Sequence, residues 1–209
     1  MRLIRLISAG LILFLSAVAF AQESFAQESF AQEWTEYVDR KEHFQINFPG
    51  QPAVRDITYE GEDDEPLPAK VYTAREGPAA YTLTVVNYKD SETVAGAGGY
   101  RGSTLYAVWN FLNRGGKLTH LSYAQTDRVA GVQLQITNPD NTRSYIGIYP
   151  HMRRLYIMEA SAPPDYPPPS DFPQTLAVLD DQGRRIRYDI DDEGNRVGFN
   201  TRELYDAEP

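Results

Sequence analysis

Phe44-Gln45-Ile46-Asn47-Phe48 alternates apolar and polar side chains, and Pro49-Gly50-Gln51-Pro52 stops the run at once. A period of two belongs to a strand with one buried face. The turn halts it because proline lacks an N–H and fixes φ, while glycine opens conformations that other residues resist. The same grammar recurs along the chain. Arg55 to Tyr59 reads as a short strand, and Glu60-Gly61-Glu62-Asp63-Asp64-Glu65 as an acidic turn before Pro66 and Pro68. Lys70 to Ala74 and Tyr81 to Tyr88 read as a hairpin. In its second strand Tyr81, Leu83 and Val85 share one face, and Thr82, Thr84 and Val86 the other. Leu118 to Asp127, Val132 to Thr137, Arg143 to Tyr149 and Arg154 to Ala160 follow as strands, with a turn at Asn138-Pro139-Asp140-Asn141.

Two segments carry helical spacing. Leu105, Val108, Trp109 and Leu112 fall at i, i+3, i+4 and i+7, so one apolar stripe runs along a helix from Ser103 to Arg114. Ser103 or Thr104 caps it, and Gly115-Gly116 ends it. Phe172, Leu176 and Leu179 predict a second helix from Ser170 to Leu179, after the proline-rich loop Pro163 to Pro169. The fold class expected is therefore α+β: a twisted, mainly antiparallel sheet flanked by these two helices. Phe44, Ile46 and Phe48 should bury one sheet face under the Leu105–Leu112 helix.

The N-terminus constrains where the chain works. Arg2 and Arg5 precede an apolar run from Leu11 to Phe20, and Ala19-Phe20-Ala21 is a small-x-small cleavage site. Together these read as a secretory signal peptide over residues 1–21, giving a periplasmic or secreted protein with cleavage after Ala21. Gln22-Glu23-Ser24-Phe25-Ala26 then repeats as Gln27 to Ala31, and Gln32-Glu33 begins a third copy. Residues 22–33 are expected to be a disordered tail, residues 34–182 one domain, and residues 183–209 a polar C-terminal extension with one strand at Arg185 to Tyr188. No later stretch is apolar enough to span a bilayer.

The chain has no cysteine, which leaves no thiol nucleophile, redox pair, Cys-based zinc site or lipoprotein anchor. Its formal charge is −9, and loss of Arg2 and Arg5 with the leader makes it more negative. Nucleic acid and anionic lipid both need a basic footprint, so neither is an expected partner.

Local motifs for chemistry are weak. Ala95-Gly96-Ala97-Gly98-Gly99-Tyr100-Arg101-Gly102 precedes a helix but matches neither the Walker nor the dinucleotide pattern, although Arg101 can hold a small anion. His43, His120 and His151 do not pair at zinc-site spacings. There is no Gly-x-Ser-x-Gly elbow. Asp189-Ile190-Asp191-Asp192-Glu193-Gly194 begins like a calcium loop, but its twelfth position is Asn200 where a bidentate acid is needed. Tyr100, Tyr106, Tyr166 and Trp109 are candidates for a sugar-stacking platform.

Phe-x-Ile-x-Phe-Pro-Gly-x-Pro at Phe44 to Pro52, Gly131, the triple Arg154-Leu155-Tyr156 and the segment led by Phe172 carry a resemblance. With the order of elements, they resemble small exported bacterial proteins without an assigned activity. Those proteins are in turn similar to the PsbP-like α/β/α sandwich of photosystem oxygen-evolving accessory subunits. The resemblance covers about Trp34 to Leu179. It implies an α/β/α sandwich and binding or assembly roles on a non-catalytic scaffold. The chain departs from it in the sequence beyond Gly183 and in having no recognisable manganese or calcium ligand set.

The expected function is thus that of an exported, non-catalytic binding or accessory protein of the bacterial cell envelope, with a protein partner, no cofactor and no metal. An envelope hydrolase acting on glycans or peptides and a carbohydrate-binding module are the alternatives. Function concentrates on loops held by a rigid scaffold. The partner surface is accordingly expected at the glycine-rich and proline loops: Tyr100, Arg101, Tyr166, Pro167 and Pro168.

Overall fold

Alternating segments joined by tight turns must pair with their neighbours, because a lone strand leaves all its backbone N–H and C=O groups without partners in the chain. The computed structural model describes residues 33–91 and 99–200. The leader, the repeat up to residue 32, the loop over residues 92–98 and residues 201–209 lie outside them. The elements are β1 (Trp34–Asp39), β2 (Phe44–Pro49), β3 (Ala53–Glu60), β4 (Pro66–Glu76), β5 (Ala79–Asn87), α1 (Gly99–Leu112), β6 (Lys117–Thr126), β7 (Val129–Thr137), β8 (Arg143–His151), β9 (Arg154–Ala162), β10 (Ala177–Leu179), β11 (Arg185–Ile190) and β12 (Arg196–Asn200). Single 3-10 turns lie at Glu62–Asp64 and Phe172–Gln174.

The strands form two antiparallel sheets. One has seven strands in the order β3-β4-β5-β9-β8-β7-β6, and the other five in the order β1-β2-β10-β11-β12. Tight turns set much of this pairing. Asp127 and Arg128, and likewise Met152 and Arg153, form two-residue hairpin loops with both φ values positive. That is the twist-matched hairpin geometry, and it is unfavourable without glycine. Arg153 offsets the strain by donating to the carbonyls of Tyr88 (3.2 Å), Lys89 (3.0 Å) and Ser91 (2.8 Å).

The seven-stranded sheet is the middle layer and is buried on both sides. Toward the smaller sheet, Tyr72, Tyr81, Leu83, Tyr156 and Met158 pack on Phe44, Ile46, Phe48 and Val178. Toward α1, Leu134, Ile146, Ile148, Leu155 and Ile157 pack on Ala107, Val108 and Phe111. Phe44, Ile46 and Phe48 are buried as their alternation requires, yet under a second sheet and not under the helix. The architecture is therefore sheet, sheet, helix. The two-helix flanking expected from the sequence is half right: mostly antiparallel β structure with one α-helix.

The helix expected over Ser170 to Leu179 does not form. Phe172–Gln174 makes one 3-10 turn, and Ala177–Leu179 is a strand. Leu176, Ala177, Val178 and Leu179 are all buried. A short continuous apolar run fits a buried strand as well as a helix, so spacing alone misleads. The five-stranded sheet decides the matter, because Val178 pairs with Phe44 on one side and Ile186 on the other. The segment after Gly183 extends the same sheet as the β11–β12 hairpin.

Asp180 and Gly183 (φ +75°) build the β10–β11 turn. One Asp180 oxygen accepts the N–H groups of Gln182 (2.9 Å) and Arg184 (2.8 Å), and the other accepts Arg184 Nε (2.8 Å). Burial opposes ionisation here, but these hydrogen bonds outweigh it and hold the carboxyl below its usual range. Asp180→Asn is expected to lower stability by about 1 kcal/mol, read from the urea midpoint at neutral pH. The folded pKa is depressed, so the wild-type advantage is full above the unfolded value of about 3.9. It shrinks as pH falls through the folded value. A gap between the two proteins that does not narrow in acid would refute this role.

Candidate functional site

The helix expected from Ser103 to Arg114 is present as Gly99–Leu112, ended by Gly115 at φ +82°. Its buried face, however, is Ser103, Thr104, Ala107, Val108 and Phe111. Leu105 and Trp109 are each 56% exposed. The helix is apolar on two overlapping stripes, and small Ser103 and Ala107 let it approach the sheet closely. Spacing cannot tell which stripe wins.

Tyr100 and Arg101 lie in the first turn of α1, where Arg101 is exposed. That end of the helix is near the acidic turn: Glu62 lies against Gly102, and the Ser91 hydroxyl donates to Glu65 at 2.8 Å. The proline loop is elsewhere. The Tyr166 hydroxyl donates to the Glu76 carbonyl (3.4 Å), and Arg143 donates to the Tyr166 carbonyl (2.8 Å). Glu65 precedes the start of β4 and Glu76 is its last residue, so the first turn of α1 and Tyr166 lie near opposite ends of that strand, roughly 30 Å apart. The glycine-rich loop before Gly99 lies outside the described residues.

The proline loop does line a hollow. Pro168, Pro169, Trp34, Tyr81, Asp171, Phe172 and Thr175 enclose about 300 Å³. Its walls are stiff. Trp34 meets Tyr81 edge-on at 4.9 Å and 86°, and Tyr81 meets Phe172 at 5.3 Å. Glu76 ties the first two together, accepting Trp34 Nε1–H at 3.3 Å and the Tyr81 hydroxyl at 3.4 Å. Burial, and then the Glu76 charge, push the Tyr81 phenol well above its usual pKa, so it stays a neutral donor. Tyr166 is half-buried against the same core, and Pro167 is exposed beside it. Trp34 is 39% exposed at the start of β1, a sheet edge among the described residues. Sequence reasoning named Pro168 but missed Trp34 and Tyr81. The signal available was Trp34 itself, a large aromatic at the first residue of the folded part.

The other candidate groups are mostly structural. Glu42 sits between Lys70 (3.7 Å) and Arg154 (3.2 Å), and Lys70 also pairs with Asp56 (3.4 Å). The Tyr156 hydroxyl donates to the Glu42 carbonyl at 2.8 Å. Arg154 and Tyr156 thus pin the β1–β2 turn to the large sheet, while Leu155 points to the helix side. His151 is buried, with Nε2 at 2.9 Å from the Tyr188 hydroxyl. His43 lies 3.8 Å from Asp181. Asp191 holds the β11–β12 turn through the Asn195 N–H, and Asp189 pairs with Arg128 at 3.0 Å. Among the described residues no three His, Asp or Glu side chains are grouped to hold a metal ion. Among them, too, no helix is long and apolar enough to cross a membrane.

One pair has catalytic residue types. His120 Nε2 is 3.0 Å from Ser122 Oγ on exposed β6. The hollow beside His120 is only about 80 Å³ and is lined by Gln133, Gln135, Tyr145, Ser170 and Gln174, with no carboxylate to orient the imidazole.

No protein-family model matches the chain, and no curated protein does. Among solved structures, it is similar to the solution structure of cyanobacterial PsbP (CyanoP) from Synechocystis sp. PCC 6803. The identity is 14% and the TM-score 0.47, over 71% of this chain and 94% of that one. At that distance the likeness carries nothing about activity.

Proposed function

We propose that this chain is an exported, non-catalytic binding or accessory protein of the bacterial cell envelope, and that it holds a protein partner at the Trp34–Pro168 hollow. The hollow is the observation that carries the reading. Its prolines and interlocked aromatics are already ordered, so binding there loses little conformational entropy. The adjacent β1 edge has unpaired backbone groups that can accept an extended segment as a further strand. Glu36 on β1 and Asp171 at the rim favour a segment whose apolar anchor is flanked by basic residues.

The test is in-cell crosslinking of tagged protein with mass spectrometry of the captured species. One reproducible partner is expected, with capture reduced at least tenfold by Trp34→Ala and by Pro168→Arg, and unchanged by Arg101→Ala. Capture that survives both hollow variants overturns the site. Turnover of envelope substrates by the purified protein overturns the function.

A second reading, an envelope hydrolase, rests on the His120–Ser122 pair. It requires peptide or glycan hydrolysis that disappears in Ser122→Ala.

A further inference from the structure

An α-helix is about 10 Å wide and strands lie about 4.8 Å apart, so one helix covers only about two strands of a sheet. Helix α1 lies over β8 and β9, through Ala107, Val108 and Phe111 on Ile146, Ile148, Leu155 and Ile157. The outermost strands, β3 and β6, are the exposed ones on the helix side, and the two flanks differ in chemistry. Over β3, β4 and β5 the groove is mixed: Arg55, Tyr59, Thr82 and Thr84 face Asn110 and Arg114 of the helix. Since Asn110 and Arg114 take that flank, Leu105 and Leu112 project to the other, over β7 and β6.

That second flank is apolar and ends at β6, an edge strand among the described residues. Leu121 pairs with Leu134, and Tyr123 with Val132, so both stand on the helix side of β6. They are 51% and 93% exposed. Edge strands are ordinarily guarded by charge, and β3, the opposite edge of the same sheet, carries Arg55, Asp56 and Glu60. Residues 118–125 of β6 hold no Asp, Glu, Lys or Arg. The one irregularity in the pairing of β6 falls between Leu118 and His120, which leaves the stretch to Thr126 regular. In a chain of net charge −9, this is an edge at which two copies meet without carboxylates opposing carboxylates.

We propose that β6 pairs antiparallel with β6 of a second copy of this chain, about a two-fold axis near Tyr123. The two seven-stranded sheets become continuous. The two tyrosines face each other as a cross-strand aromatic pair, and Leu121 of each copy is covered. The inference does not use the Trp34 hollow and survives its failure.

Sedimentation equilibrium of the protein as isolated tests this. A monomer–dimer equilibrium is expected. Tyr123→Lys and Leu121→Lys each weaken it at least tenfold; melting temperature is nearly unchanged for Tyr123→Lys, whose side chain is already in water in the monomer, and falls only slightly for half-exposed Leu121→Lys. Trp34→Ala leaves the dimer intact. A protein that stays monomeric at every soluble concentration overturns the proposal, as does a dimer indifferent to both lysine variants. A monomer that binds lipid vesicles, or that loses a different captured protein on Tyr123→Lys, assigns the face to that occupant and likewise overturns it.

Discussion

Phe48→Asp is expected to leave the protein unfolded at room temperature. Phe48 is fully buried between the sheets, with its ring 5.4 Å from Phe172 and 6.3 Å from Tyr37. The substitution removes an aromatic side chain whose truncation alone is worth about 3–5 kcal/mol. It also puts a carboxylate among the apolar and aromatic side chains of the inter-sheet core, which adds several kcal/mol or forces protonation. The sum reaches the whole stability of an ordinary domain, about 5–15 kcal/mol. Circular dichroism and urea titration give the answer: a cooperative transition near the wild-type midpoint would show that the inter-sheet core is misassigned. Phe48→Leu is the control, expected to fold with a loss of roughly 1–2 kcal/mol.

Gly131→Val is the second severe change, and its cause is steric. A Cβ at residue 131 would collide with the Ile148 carbonyl oxygen and lie 2.5 Å from the Tyr149 ring. The first obstacle is backbone in the paired strand β8, and the second is a fully buried ring. Neither can swing aside, so the β7–β8 ladder must open locally. A loss of about 3 kcal/mol or more is expected for valine, and somewhat less for alanine. Thermal melting of the three proteins checks the order glycine, alanine, valine. A valine variant as stable as the wild type would show that β7 and β8 do not approach this closely. This close approach also explains why a glycine stands at the start of a strand otherwise rich in valine, leucine and isoleucine.

The candidate surfaces divide by how they are built. The Trp34 hollow draws on β1, β5 and the proline loop, three segments distant in sequence, and no local motif announces such a convergence. The β6 edge is continuous in sequence, yet its exposure depends on where α1 lands. Glu42, Lys70 and Arg154 come from a turn and two strands far apart in sequence. In the fold they fasten a turn, with each charge answered by another.

What the sequence determined by itself was the set of short-range choices. The alternation at Phe44 to Phe48 and Tyr81 to Val85, the break at Pro49-Gly50 and the helix before Gly115 follow from side-chain period and from the conformations of proline and glycine. These depend on a few neighbouring residues, so they can be read without the rest of the chain. The tertiary structure alone decided the choices between nearly equal local states. Leu176 to Leu179 suits helix and strand alike, and pairing with Phe44 and Ile186 makes it a strand. Helix α1 carries two apolar stripes, and the fit of Ser103 and Ala107 against the sheet buries one and exposes Leu105 and Trp109. The residues after Gly183 read as a polar tail, but an open edge on β10 draws them into the smaller sheet. In each case the deciding energy comes from pairing or packing against another element, and local period carries no record of it.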